Sequence, residues 1–201
     1  MLVAKVSLEE KTMEISLIRH GKSQLTESDT ITCLEFKRWV EKYDYHGVFE
    51  ESTYPSETVE KVVNAKIVVT SNLERAIKSA KLLNPEVKLV SDPLFQETEL
   101  PTCSKKLLNI KLRPSMWAVI LRLLWLCGYS NECESLTKAK LRAKKASQQL
   151  IDYADEYKSI AMVGHGFFNR LIAKELQKKG WKGKRKTGAK HWNCTTYSLF
   201  K

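Results

Sequence analysis

Five short apolar runs recur along the chain with helical patterns between them, and this alternation narrows the fold more than any other feature. The runs are "MEISLI" (13–18), "KIVVTS" (66–71), "VKLVSD" (87–92), "SIAMVG" (159–164) and "TTYSLF" (195–200). Each has strand length, and several lack the apolar–polar alternation of a strand with one wet face, so they suit a sheet covered on both sides. Between them, Leu73, Ala76, Ile77, Ala80 and Leu83 recur at helical spacing, as do Phe168, Leu171, Ile172 and Leu176. A longer helix over "LTKAKLRAKKASQQLIDYADEYKS" turns Ala139, Ala143, Ala146, Leu150 and Ala154 toward a core. Strands alternating with helices predict a three-layer α/β/α domain with a mostly parallel central sheet.

A length of 201 residues suits one such domain, so residues 1–201 are read as a single unit. The rhythm breaks from about Glu99 to Ser135, where the basic "KKLLNIKLRPS" precedes an apolar helix starting near Met116. This stretch reads as an inserted helical cap or lid, with an ordinary connecting helix as the equal alternative. Trp117 and Trp125, eight residues apart on that helix, read as core.

Lys and Arg number 34 against 23 Asp and Glu, a net charge of +11 that favours anionic partners. Cys33, Cys103, Cys127, Cys133 and Cys194 are scattered without metal-ligand spacing, which predicts reduced thiols and a cytoplasmic setting. Charged residues Lys5, Glu9, Glu10 and Lys11 interrupt the N-terminal segment before a signal-peptide core could form. The longest apolar stretch is broken by Arg122 and falls short of the roughly 20 residues that span a bilayer. No membrane partner is expected.

Chemistry collects after the strands. In an open parallel sheet, ligands bind beyond the carboxyl ends, where loops and helix N-termini converge. Arg19, His20 and Gly21 follow the first run. After the second, Ser71 and Glu74 have capping-box spacing, which puts Arg75 in the first turn of a helix. "PLFQETELP" follows the third run with Glu97 and Glu99, and His165 follows the fourth, between Gly164 and Gly166. Any one of these is ordinary, but together they would place two histidines, two arginines and a carboxylate on one face. Paired guanidinium groups match phosphoryl oxygens, and a helix N-terminus beside Gly166 adds N–H donors. The Ser23 hydroxyl is a further candidate phosphate donor. A neutral imidazole there can attack phosphorus, with a glutamate moving protons and the cations stabilising charge without a metal.

"LIRHGKS", "VVTSNLERAIKSA", "FQETELP" and "AMVGHGFFNRLIA" resemble, in order, the signatures of the histidine phosphatase superfamily, also called phosphoglycerate mutase-like. The resemblance spans roughly residues 13–180, and "HWNCTTYSLF" is similar to the family's last strand. It implies that His20 is the phosphorylated nucleophile, that Arg19, Arg75 and His165 line the phosphate pocket, and that Glu97 is the proton donor, with Glu99 as the alternative register. It further implies a metal- and cofactor-free phosphatase acting on an anionic phosphorylated small molecule. The alternatives within the fold are a mutase-type phosphotransferase and a protein phosphohistidine phosphatase. Lys22 and Thr26 stand where the family commonly has an acidic residue and an Asn, and "TELPTCSKK" replaces a Gly-rich, Trp-containing segment; these positions bear on substrate preference.

A different class remains: an inactive phosphatase fold that binds polyanions. "KKGWKGKRKTGAKHW" (178–192) interleaves seven cations with Trp181 and Trp192, as single-stranded nucleic-acid surfaces do. A solvated loop before the last strand is the favoured reading of that stretch, and the inactive fold is disfavoured because all five catalytic candidates carry competent chemistry. The loop could also steer anionic substrates toward His20.

Overall fold

The computed structural model describes residues 12–103 and 110–200. Residues 1–11, 104–109 and 201 lie outside the described residues, and with them the charged N-terminal segment and the start of the basic stretch before α4. The elements run β1 (Thr12–Arg19), β2 (Ile31–Thr32), α1 (Cys33–Tyr45), α2 (Ser56–Asn64), β3 (Ile67–Thr70), α3 (Glu74–Leu83) and β4 (Leu89–Ser91). They continue with β5 (Lys111–Leu112), α4 (Pro114–Leu126), α5 (Leu136–Tyr157), β6 (Ser159–Gly164), α6 (Gly166–Lys178), β7 (Lys182–Gly183) and β8 (Cys194–Phe200). All five apolar runs are strands, and the periodic segments between them are helices.

Six strands form one sheet in the order β4-β3-β6-β1-β8-β7, and β2 pairs with β5 apart from it. The first four are parallel, while β8 runs antiparallel to β1 and β7 antiparallel to β8. The sheet is therefore mostly parallel, as the alternation predicts. Side chains alternate across it: Ile15, Leu17, Val69 and Met162 face one cluster with α5 and α6, while Ile18, Val68, Ala161 and Val163 face another with Val62 of α2 and Ala80 of α3. This covers the sheet on both faces, which is why its strands read as unbroken apolar runs. A small third cluster joins Cys33 and Phe36 of α1 to Trp117 and Leu121 of α4, so Trp117 is core; Trp125 is buried in the α5–α6 cluster.

Helix starts differ in their chemistry. α1 opens with a full capping box, Thr32 and Glu35 satisfying each other's backbone N–H groups. The expected box at α3 does not form: Leu73 is the N-cap, and the Ser71 hydroxyl turns to His165 while accepting from the Leu73 N–H. A buried imidazole out-competes a helix end that solvent can reach.

The cysteines also depart from expectation. Cys33 at the start of α1 and Cys103 in the loop before α4 form a disulfide, with Cα atoms 6.1 Å apart, whereas Cys127, Cys133 and Cys194 are free. Nothing in their spacing announces the pair, because β2 and β5 bring the two segments together only in three dimensions. Among the described residues, no helix is long and apolar enough to cross a membrane.

The bridge closes a loop of 70 residues, for which the chain-entropy view gives a stabilisation of about 4 kcal/mol. Cys103→Ser should lower the urea-unfolding free energy by that amount under oxidising conditions. The difference between the two proteins should vanish in excess dithiothreitol, and equal stability without reductant would show that the thiols do not pair.

Candidate active site

Register builds the site. β1 pairs in parallel with β6 so that Arg19 lies opposite Gly164, and β3 pairs with β6 so that Thr70 lies opposite Val163. The residues that follow, His20, Ser71 and His165, emerge side by side at one edge. The His20 and His165 ring centroids are 5.2 Å apart, and both rings are buried. Asn169 of α6 ties the edge together, its Nδ2 donating to Ile18 O at 3.0 Å and its Oδ1 accepting from His165 N at 3.1 Å.

The imidazole of His20 is oriented by its own backbone: Nδ1 donates to Gly21 O at 2.7 Å. A carbonyl can only accept, so the proton of the neutral ring resides on Nδ1 and the lone pair on Nε2. Burial, followed by the Arg75 charge, pushes the pKa of His20 well below the ordinary histidine value. The same two causes act in the same order on His165, whose Nε2 shares a 2.7 Å hydrogen bond with Ser71 Oγ. Gly21 answers a packing need. A Cβ there would stand 2.1 Å from the buried Trp192 ring, and its N–H donates to Ser79 Oγ at 2.9 Å.

Arg75, in the first turn of α3, is buried and held from α1. Its Nη1 bonds Asp44 Oδ1 at 2.7 Å, and its guanidinium lies 4.6 Å from the Tyr43 ring. Arg19 bonds Ala189 O and packs against Gly166, where a Cβ would meet its Nε at 3.2 Å. Three nitrogens of this cluster, Arg19 Nε, Arg75 Nε and His165 Nδ1, are buried without a hydrogen-bond partner among the described residues. Each such group costs about 1–3 kcal/mol unless something satisfies it, and three of them converge here.

Glu97 reaches the same edge from the loop after β4. Its Oε1 accepts from Phe168 N at 2.9 Å and from Thr98 N at 2.9 Å, and its Oε2 from Phe167 N at 3.0 Å. The N-terminus of α6 is thus capped by a glutamate, and the expectation that its first amides face an anion directly is corrected for Phe167 and Phe168. Gly166 contributes as the close-approach point for Arg19. Glu99 goes elsewhere: its Oε2 accepts from Glu134 N at 3.0 Å, so only Glu97 of the pair lies on the cleft. Arginines pin the Glu97 loop from both sides. Arg142 donates to Leu94 O and Gln96 O, and Arg122 donates to Thr98 O and Glu99 O.

The remaining candidates sort cleanly. Ser23 bridges to Val48 through its backbone, and its Oγ accepts from Leu25 N at 3.2 Å; no contact joins it to the histidines. His191 stands close, its Nδ1 donating to His20 O at 3.0 Å with ring centroids 5.5 Å apart. In the basic stretch 178–192, Trp181 and Trp192 are core residues, and the cations Lys182, Lys184, Arg185 and Lys186 are exposed without them. Among the described residues, no cluster of His, Cys, Asp and Glu is placed to hold a metal ion.

The family model described as the histidine phosphatase superfamily (branch 1) matches residues 56–199. The chain belongs to that superfamily. The matched span covers Arg75, Glu97 and His165; Arg19 and His20 precede it and join the site through the β1–β6 register. Phosphatases and a phosphoglycerate mutase are among the similar solved structures. A mycobacterial glucosyl-3-phosphoglycerate phosphatase superposes with a TM-score of 0.59 at 17% identity, over 93% of this chain and 90% of that one. Phosphoglycerate mutase from Bacillus anthracis gives 0.60 at 15% identity, over 96% and 90%. Phosphoserine phosphatase from Entamoeba histolytica gives 0.55 at 16%, over 93% and 94%. At such identities the likeness establishes the phosphoglycerate mutase-like fold. No curated protein matches the chain in sequence.

The depressed imidazole pKa values carry a sign. Histidines in the unfolded chain titrate near pH 6.5, so between that value and the lower folded pKa values the unfolded state binds more protons. Stability from this pair is complete above about pH 6.5 and is lost as pH falls through the folded values. In an NMR titration the His20 ring should stay neutral well below pH 6.5, and Arg75→Met should move its midpoint upward. A wild-type midpoint at or above 6.5 contradicts the buried geometry.

Proposed function

We propose that the protein is a phosphatase that hydrolyses a phosphomonoester through a phosphohistidine formed on His20. The observation that carries this reading is that Arg19 Nε, Arg75 Nε and His165 Nδ1, three buried nitrogens without a hydrogen-bond partner among the described residues, lie near an imidazole whose Nε2 holds the lone pair. Three phosphoryl oxygens would satisfy those nitrogens, and a neutral histidine is the form able to attack.

In the first step Nε2 of His20 forms a bond to phosphorus while the bond to the leaving oxygen breaks. Glu97, in the protonated form, supplies the proton that the leaving oxygen needs. In the second step Glu97, now a carboxylate, takes a proton from water as that water attacks phosphorus and the N–P bond breaks. Arg19 and Arg75 balance the negative charge spread over the equatorial oxygens, so no metal is required. His165 adds a short-range donor without adding charge. Asp44 and Tyr43 hold Arg75 in place. Among the alternatives, the polyanion-binding module loses its stacking half, because Trp181 and Trp192 are packed in the core. The exposed cations of residues 182–186 remain able to steer anionic substrates toward the pocket. Within the 99–135 segment α4 acts as a cap along the cleft, which it lines with Ala118, Val119, Arg122 and Leu123.

Hydrolysis of p-nitrophenyl phosphate should persist in EDTA, and His20→Ala should lower kcat by more than about 10³-fold. Turnover surviving in that variant refutes a histidine nucleophile. Glu97→Gln should cost about 10²–10⁴-fold for alkyl esters, and less for the p-nitrophenyl ester, whose leaving oxygen needs no proton. Equal losses on both would place Glu97 outside proton transfer.

A further inference from the structure

α4 is the anomaly in a chain of net charge +11. Its inner face buries Trp117, Leu121 and Trp125, yet its outer face is also apolar: Met116, Val119, Leu123 and Leu126 are 49%, 59%, 57% and 43% exposed. Their spacing of three and four residues makes one stripe about 15 Å long. An amphipathic surface helix would place polar residues there.

The stripe is continuous with the proposed phosphate pocket. Val119 and Leu123 line a cleft of about 350 Å³ together with Leu100 and Phe167, and the same cleft is bounded by Arg19, Glu97 and Gly166. Arg170 also lines it, and it has no carboxylate partner among the described residues. The cleft is thus cationic where the phosphoryl group would be held and apolar along the wall leading outward. Arg122 also lines the cleft, but its guanidinium is engaged, 4.7 Å from the Phe167 ring and donating to Thr98 O, which leaves Val119 and Leu123 as the apolar part of the wall.

We infer that the substrate is an amphiphilic phosphomonoester whose leaving group is an extended aliphatic chain lying along the outer face of α4. This rests on the phosphatase reading of the same site and adds the class of alcohol released. A sugar or glycerate phosphate would leave the stripe in water, since hydroxyl and carboxylate groups gain nothing from Val119 and Leu123. An alkyl chain removes its own surface and that of the stripe from water together, and each buried methylene is worth up to about fourfold in kcat/KM.

The test is the chain-length dependence of kcat/KM for straight-chain alkyl phosphates from ethyl to decyl, kept monomeric, with glycerol phosphate for comparison. A rise of about two- to fourfold per methylene supports the proposal, as does a fall in the decyl-to-ethyl ratio in Val119→Ser and Leu123→Ser. Val63→Ser, at an exposed position on α2, should leave that ratio unaltered. A flat profile with His20-dependent turnover overturns the amphiphile and keeps the phosphatase; absence of His20-dependent turnover overturns both. If sedimentation shows a dimer that Leu123→Ser dissociates while the ratio stays constant, a second copy covers the stripe and the proposal fails. Vesicle binding lost in that variant with an unchanged ratio overturns it likewise.

Discussion

The parallel pairing of β1 with β6 is the constraint on which the candidate site depends. It sets Arg19 beside Gly164, and so obliges the next residues, His20 and His165, to share a space too small for either ring to keep a water shell. Burial then does the chemical work, because desolvation is the largest cause of the low pKa on both imidazoles. A solvated pair at the same separation would titrate near the ordinary value and spend part of its time as a charged, non-nucleophilic ring.

Gathering cations in such a place costs free energy, and the structure distributes the compensation around the rim. Arg75 is matched by Asp44 and Tyr43 from α1, Arg19 by the carbonyl of Ala189, and Glu97 contributes a nearby negative charge anchored to the α6 amides. The compensation is incomplete toward the centre, where three nitrogens remain without partners among the described residues. Arginines satisfied at the edge and unpartnered in the middle are what supports the proposed phosphoryl site. Glu97 sits at the junction of two demands, since capping α6 fixes the carboxylate where proton transfer would need it. Arg122 and Arg142 secure its loop by bonding carbonyls rather than competing for the carboxylate.

Much of this was legible beforehand, and the failures have physical causes. Strands buried on both faces announce themselves as apolar runs, and helices as three- and four-residue spacing, because burial leaves a local mark. Strands β2, β5 and β7 hold two residues each and leave none. The spacing of Ser71 to Glu74 predicts a capping box because it is correct locally, while the actual partner of Ser71, His165, is 94 residues away. Separations of 31 to 151 residues likewise hide Ser79, Asn169, Asp44 and Tyr43, whose roles depend on what faces them. Arg122 reads in the sequence as an interruption of an apolar run. The disulfide was missed for the same reason, since five scattered cysteines look reduced until β2 meets β5.

The sequence alone determined that there would be a covered, mostly parallel sheet and that basic, imidazole and carboxylate groups would stand at its strand ends, because hydrophobic period and strand-terminal position are local properties. Only the tertiary structure decided which glutamate enters the cleft, which imidazole nitrogen carries the proton, and that α4 keeps an apolar stripe in solvent. Those outcomes follow from long-range register and burial, which no single stretch of chain contains.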